Sequence, residues 1–274
     1  MKNTHTPYAI DHSLTIGWLY PELMSTYGDR GNIIVLTKRC EWRDIKVEVK
    51  RLDVGFSAYD LEKCDLLFMG GAQDKQQTIV AKDIKDKSQI LKDLIGRGVP
   101  GLYICGAYQF LGKYYKEADG TIIPGLEIFD LYTENPGENH ERLIGNMVIK
   151  IDDVICNMYD LKKANHKSYI INNTLVGFEN HGGRTYLGKN IQPLGHIKTG
   201  FGNNATDKTE GAVYKNSFGT YLHGPILPKN PHFADMLIKL ALEKKYKKTV
   251  DLSPLDDSLE WQAHDFIVNR LKNK

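Results

Sequence analysis

The sequence predicts an α/β fold: a mostly parallel central sheet flanked by helices, with an antiparallel edge region. Three observations carry this expectation. Apolar runs at residues 14–20 (LTIGWLY), 65–70 (DLLFMG) and 99–104 (VPGLYI) each read as a buried strand, because strands covered on both faces are apolar throughout. Segments with helical spacing separate them in the order βαβ(α)βαβα, which calls for crossover helices and parallel pairing. Beyond Gly112 the texture changes to short strands joined by glycine and asparagine turns, as in an antiparallel edge.

The first strand, residues 14–20, follows a polar arm over 1–13. A turn with two glycines, Tyr27-Gly28-Asp29-Arg30-Gly31, precedes a helix over 33–42, with Asn32 as its expected cap and Ile33, Leu36 and Cys40 inward. Residues 46–54 alternate and read as the second strand. A helical lead-in and the strand DLLFMG follow. Residues 73–97 read as a helix with Ile79, Ile84, Ile90, Leu91, Leu94 and Ile95 inward, closed by Gly96 and Gly98. Past the strand at 99–104, further strands are expected at 142–151, 170–178, 184–187, 195–197, 211–213 and 218–222. Residues 200–211 (GFGNNATDKTEG) read as a mobile loop. A helix over 231–246 buries Phe233, Met236, Leu237, Leu240 and Ala241. The chain thus divides into the arm, one domain over 14–248 and a helical tail over 249–274, with Leu259, Trp261, Phe266 and Leu271 as the tail's apolar residues.

With 274 residues the chain is long enough for a proper core. A net charge of +2 gives no sign of a nucleic-acid binder. The four cysteines show no CxxC or metal-ligand spacing, which suits a reduced, cytoplasmic protein with no metal. No apolar run reaches the ~18 residues of a membrane span. There is no GxxxxGK[ST], so no nucleotide is expected on this chain alone.

Cys105 stands out. It follows the strand at 99–104, and Gly106 and Ala107 then open a helical stretch with Tyr108, Phe110 and Leu111. Small residues there allow a sharp strand-to-helix bend that exposes the sulfur beside the positive end of a helix, as in a nucleophile elbow. The alternative is a buried cysteine packing as a small hydrophobe. Gly70 and Gly71, after the preceding strand, can converge two N–H groups into an anion nest suited to an oxyanion, or form a plain tight turn. Strand carboxyl ends face one crevice in such sheets, so the two signals support each other. His223 falls at the end of a later apolar strand, FGTYLHGP, either as a general base or as a satisfied histidine.

The stretches ICGAYQFLG, GGAQDKQ and GTYLHGPILPKNP resemble the class I glutamine amidotransferase family in its cobyric-acid-synthase-like branch. YPELMSTYGDRGNIIVL, RLIGNMVI and GFENHGGRTYLG narrow the resemblance to the glutaminase subunits of lipid II isoglutaminyl synthases, over about residues 14–246. The resemblance implies a flavodoxin-like fold and a glutaminase. Cys105 would attack the side-chain amide of L-glutamine, His223 would move the proton, Gly70, Gly71 and Gly106 would hold the oxyanion, and Arg142 would hold the substrate. It implies no cofactor on this chain. It further implies a MurT-like, Mur-ligase-type synthetase partner, with ATP and Mg on that partner, and amidation of lipid II through it. The family's usual glutamate two residues after the histidine is Pro225 here. An orienting carboxylate is therefore expected from a partner chain. Glu179 and His181 are expected to be structural. A cobyric-acid-type synthase subunit is the alternative product class. A non-catalytic subunit and a thiol hydrolase of other amides or esters are the alternatives outside the family's activity.

Overall fold

The apolar runs do become strands. The structure, a computed structural model, describes residues 12–159, 161 and 173–272. Most of the expected arm, residues 170–172 of an expected strand and the last two residues of the tail lie outside these. In chain order the first half contains β1 (Ser13–Leu19), α1 (Arg30–Glu41), β2 (Lys46–Leu52), α2 (Ala58–Glu62), β3 (Leu66–Met69), α3 (Asp74–Ile84), α4 (Ser88–Gly96), β4 (Gly101–Ile104) and α5 (Gly106–Phe110). Short strands follow: β5 (Tyr114–Lys116), β6 (Ile122–Pro124), β7 (Leu131–Glu134) and β8 (Leu143–Ile151). Then come α6 (Asp153–Met158), β9 (Thr174–His181), β10 (Arg184–Leu187), β11 (Gly195–Thr199), β12 (Thr209–Glu210), β13 (Ala212–Tyr214) and β14 (Ser217–Thr220). Two helices close the chain, α7 (Pro231–Tyr246) and α8 (Ser258–Lys272).

The central sheet has the order β13-β14-β4-β3-β1-β2. Its strands pair in parallel except β13, which forms an antiparallel hairpin with β14. Leu67, Phe68, Leu102 and Ile104 are fully buried, as expected of strands covered on both faces. The order β2-β1-β3-β4-β14 is the doubly wound one, in which connections leave β1 and β3 in opposite directions and open a crevice at their carboxyl ends. The register brings those ends level: Leu19 pairs with Met69, Met69 with Tyr103, and Ile104 with Thr220. The residues that follow β3, β4 and β14 therefore emerge side by side. Two antiparallel-rich sheets, β10-β7-β5-β6 and β12-β11-β8-β9, form the predicted edge region.

Several local expectations are overturned. Residues 73–97 form two helices joined by a 3-10 turn at Lys85–Lys87. Gln77, Val80 and Ile84, three and four apart, make the buried face of α3, so Ile79 lies off it and is 48% exposed. Asn32 does not cap α1. It lies within the first turn, and its Oδ1 accepts the Leu227 N–H at 3.0 Å. The loop expected to be mobile is packed: Asn203 and Asn204 are buried, and Asn203 bonds the Gly211 N–H and C=O while Asn204 Oδ1 accepts the Thr206 and Asp207 N–H groups. In the tail, Trp261 and His264 are inward, three apart, and Leu259 and Phe266 point to solvent.

That tail is tied down. His264 Nδ1 bonds the Lys229 carbonyl at 2.8 Å and Nε2 bonds the Thr174 hydroxyl at 2.9 Å. At the start of α8, Asp257 joins a cluster around Arg39, which is 1% exposed. Arg39 makes paired hydrogen bonds to Asp235 of α7 and to Asp257, and Arg43 also pairs with Asp235. Burial works against the Arg39 charge, and the two carboxylates more than offset it. Bidentate pairs of this kind are strong and directional. Removing one partner from a buried pair costs about 3 kcal/mol or more, because the other charge is left stranded. Asp235→Ala leaves Arg39 its bonds to Asp257 but removes the partner it shares with Arg43, and should lower the unfolding free energy by about 2 kcal/mol in urea titrations. Lys38→Ala, which removes only an exposed pair with Glu41, should leave the midpoint in place. Equal effects of the two changes would show that the cluster holds no more than a surface pair.

Candidate active site

Cys105 sits between β4 and α5 with φ 50° and ψ −104°. A non-glycine residue at positive φ is strained, and such strain collects at functional turns. The turn is held by Cys105 N–H to the Thr220 carbonyl at 2.8 Å and by Gln109 N–H to the Cys105 carbonyl at 2.9 Å. A Cβ on Gly106 would stand 2.9 Å from Gln77 Nε2 and 3.1 Å from the Ala72 nitrogen, so a larger residue after the cysteine would have to displace the Gln77 side chain. Helix α5 is only five residues long. The bend, rather than a long helix, presents the sulfur. Of the four cysteines Cys105 alone is partly exposed; Cys40, Cys64 and Cys156 are buried.

His223 follows β14 and is fully buried. Its N–H donates to the Phe178 carbonyl at 2.7 Å, and the Phe178 N–H donates to its carbonyl at 3.1 Å. The residue is thus clamped between the central sheet and β9. Tyr27 covers it, with ring centroids 5.1 Å apart and edge to face. Tyr27 also lies at positive φ, 54°, in a 3-10 turn over Thr26–Gly28.

A carboxylate does stand beside the imidazole, and it belongs to this chain. Asp29 is fully buried at the start of α1. Its Oδ1 lies 3.3 Å from His223 Nδ1, and its Oδ2 accepts the Gly71 N–H at 2.7 Å. The glycine pair is packed tightly around this group. A Cβ on Gly70 would meet Asp29 Oδ2 at 3.0 Å and the Met24 carbonyl at 2.4 Å. One on Gly71 would meet His223 Cε1 at 2.8 Å and Cys105 Cβ at 3.3 Å. Thr26 grips the same turn, its N–H and hydroxyl both donating to the Gly71 carbonyl at 3.1 and 2.8 Å. The nest expected at Gly70 and Gly71 thus has its second N–H already donated.

Burial works to lower the His223 pKa, but the negative charge of a Cys105 thiolate and the Asp29 carboxylate outweigh it and push it up to about 10. His223 Nε2 has no hydrogen-bond partner among the described residues, which leaves it open toward the cysteine side.

Cys105 and His223 line a cleft of about 520 Å³, with Thr26, Tyr27, Ala72 and Gln73. Arg142, just before β8, lines the same cleft, as do Asn180 and Lys75. Asn180 fixes the guanidinium: Nε donates to its Oδ1 at 2.9 Å and an Nη to its carbonyl at 3.0 Å. A fixed guanidinium and a lysine make the mouth suited to a carboxylate. The structure therefore brings Cys105, His223 and Arg142 to one space; Gly71 packs against the cysteine and histidine, Gly70 packs on Asp29, and Gly106 follows the sulfur in the chain. Sequence reading missed Asp29. Its one signal was the turn that contains it, and nothing local joins that turn to a histidine 194 residues away.

Beneath the cleft runs a buried polar chain. Gln77 bonds Gln109 at 3.4 Å, Gln109 bonds the Tyr221 hydroxyl at 3.0 Å, and Tyr221 reaches Thr185 at 2.6 Å. His181 stacks on Tyr221 with centroids 3.6 Å apart. Glu179 accepts the Phe201 and Gly202 N–H groups at 2.7 and 2.9 Å. Both residues serve the scaffold. Burial lowers the His181 pKa and favours its neutral form. Among the described residues no group of side chains could hold a metal ion, and no helix is long and apolar enough to cross a membrane.

The sequence profile of the CobB/CobQ-like glutamine amidotransferase domain matches residues 15–231. The chain belongs to that family. The glutamine-hydrolysing subunit GatD of lipid II isoglutaminyl synthase from Staphylococcus aureus (strain N315) is 41% identical over 261 residues, covering 94% of this chain and 96% of that protein. The subunit of the same name from Streptococcus pneumoniae (strain ATCC BAA-255 / R6) is 38% identical, covering 94% of this chain and 90% of that one. A crystal structure of a glutamine amidotransferase overlays with a TM-score of 0.54 at 13% identity, over 82% of this chain and 98% of that one, and supports the fold.

Glu210, at the end of β12, steadies the approach to the histidine. Its Oε1 accepts the Thr220 hydroxyl and the Tyr221 N–H, both at 2.7 Å. Burial is the main cause that pushes its pKa up from 4.5 to about 7; the Glu179 charge adds to the rise, and the hydrogen bonds oppose it. Folding thus favours the protonated acid. The stability this gives is fully present below about 4.5 and is lost as the pH rises through about 7. Glu210→Gln mimics the neutral acid. Its stability relative to wild type should therefore improve as urea titrations move from about pH 5 to about pH 8. A constant difference across that range would show that Glu210 does not titrate there.

Proposed function

We propose that this chain is the glutamine-hydrolysing subunit of a lipid II isoglutaminyl synthase. The observation that carries the reading is the meeting of a strained Cys105, a clamped His223 and a fixed Arg142 around one cleft, in a chain alike over nearly its whole length to subunits of that name.

In this reading Arg142 and Lys75 hold the α-carboxylate of L-glutamine at the mouth. The side-chain amide then reaches Cys105. The sulfur attacks the amide carbon, and His223, holding the thiol proton on Nε2, delivers it to the leaving nitrogen. Ammonia departs and a γ-glutamyl thioester remains. Water, losing a proton to the same nitrogen, attacks the thioester carbon and releases glutamate and the thiol. The cleft lies at the carboxyl ends of the strands. The chain needs no cofactor for these steps.

The ammonia acceptor belongs to a second chain. We assign that chain as a MurT-like, Mur-ligase-type synthetase that uses ATP and Mg to activate the α-carboxyl of D-glutamate in the lipid II stem peptide, giving D-isoglutamine. The complex would work in the cytoplasm, at the membrane face that carries its lipid substrate.

Ammonia release from L-glutamine tests the reading, with the chain alone and mixed with such a partner. Cys105→Ala and His223→Ala should abolish release in both settings while keeping the wild-type circular dichroism. Arg142→Ala should raise KM for glutamine roughly tenfold or more with a smaller change in kcat, since it removes a binding contact made before and during the reaction. Wild type that releases no ammonia in either setting, or Cys105→Ala that still does, would overturn the assignment.

A further inference from the structure

We infer that Asp29 is the positioning residue of this site: one carboxylate oxygen fixes the His223 ring, and the other withdraws the Gly71 N–H from the reaction, leaving the oxyanion to the N–H groups of Ala72 and Gly106. The inference deepens the proposed glutaminase reading and rests on it. It replaces the expectation that a partner chain supplies the carboxylate.

Three observations lead there. The first is the bond pattern. Asp29 Oδ1 lies 3.3 Å from His223 Nδ1, and Oδ2 accepts the Gly71 N–H at 2.7 Å. Both partners and Asp29 itself are buried. An ionised carboxylate here keeps the ring proton on Nδ1 and leaves Nε2 to exchange a proton with sulfur and leaving nitrogen. The second is the position in the chain. Asp29 occupies the cap position of α1, yet its side chain makes no capping bond. It spends both oxygens across the cleft, which a residue kept only for the helix would not do. The third is the geometry on the far side. The Ala72 nitrogen lies 3.1 Å from where a Cβ on Gly106 would be, so the backbone of Ala72 packs directly against that of the residue following the nucleophile. Neither N–H donates a hydrogen bond among the described residues. Two free N–H groups beside the nucleophile are what a developing oxyanion needs, and a third already bonded to a carboxylate is not available to it.

The isosteric change Asp29→Asn separates this role from a structural one. The Asn oxygen must keep facing the Gly71 N–H, so its NH2 faces His223 Nδ1. That nitrogen must then accept, and the ring proton moves to Nε2, the wrong tautomer for taking the thiol proton. Three readouts follow, two of which need no turnover. Histidine 15N NMR near neutral pH should show His223 protonated on both ring nitrogens in wild type, and on Nε2 alone in Asp29→Asn, where Nδ1 must accept. Release of ammonia should fall roughly 100-fold or more in kcat, with KM for glutamine within about threefold, in the chain alone and in the complex. With L-glutamate γ-semialdehyde the Cys105 sulfur adds to the aldehyde carbon, its proton held by His223 Nε2; the C=O π pair moves to oxygen, which takes that proton and becomes a thiohemiacetal hydroxyl. On addition the Ala72 and Gly106 amide resonances should shift, and the Gly71 amide should stay near its free position.

Asp29→Asn with the wild-type protonation of both His223 nitrogens and wild-type kcat would overturn the positioning role. Full activity of Asp29→Asn restored only by the synthetase partner would return the role to the partner chain. A large shift of Gly71 with none at Ala72 would overturn the oxyanion assignment. Failure of the glutaminase reading itself would look different: no ammonia from wild type, with the His223 protonation still set by Asp29.

Discussion

The space a Cβ at Gly71 would need is already taken, by His223 Cε1 at 2.8 Å and Cys105 Cβ at 3.3 Å. Because glycine lacks that atom, backbone, imidazole and thiol close to contact distance. Much of the site follows from this approach. It lets Asp29 reach both the Gly71 N–H and the histidine ring. It also lets Thr26 hold the Gly71 carbonyl from the other side. The peptide between β3 and α3 is thus held on both faces by one loop, so the loop after β1 and the turn after β3 form one unit. Any larger residue at 71 must push the histidine away from the sulfur.

The strain at Cys105 is the counterpart of that contact. A residue with φ 50° and ψ −104° stores on the order of 1–3 kcal/mol. It persists because the neighbours over-determine it. Its N–H belongs to the ladder with β14, its carbonyl starts α5, and Gly106 is wedged against Gln77 and Ala72. The polar chain from Gln77 to Thr185 then replaces what would otherwise be an apolar floor. Such networks rigidify when every member is bonded. The cleft therefore rests on parts with little freedom to relax.

Much of the fold could be read from the sequence because it depends on local pattern. Continuous apolar runs located β1, β3 and β4, and spacing located α7. What failed were features decided by distant partners. Ile79 is as apolar as a core residue, but apolar character alone does not show that Gln77, Val80 and Ile84 take the buried face of α3. Residues 200–211 looked mobile because their composition is that of a loop, yet the side chains of Asn203 and Asn204 bond the backbone and close it. Phe266 looked like core until Trp261 and His264 took the buried face of α8. In the cleft, Cys105 and His223 were legible from their places at strand ends. Arg142 was legible only through family likeness. Asp29 was hidden, since its meaning comes from a contact across 194 residues and its local setting suggested only a turn.

The two ends of the cleft are carried by different sheets. Cys105 rides on β4 of the central sheet, and Arg142 leads into β8 of the β12-β11-β8-β9 sheet. What fixes their separation is the way the sheets are fastened, above all the paired Phe178 and His223 backbones. The cleft is therefore a ruler. Its length is written in packing between sheets rather than in the residues that touch the ligand. In the proposed reading, with glutamine anchored at Arg142, a side chain one methylene shorter would present its amide short of the sulfur. Discrimination against asparagine would then survive most changes to the cleft wall and would be lost through changes at the seam where the sheets meet.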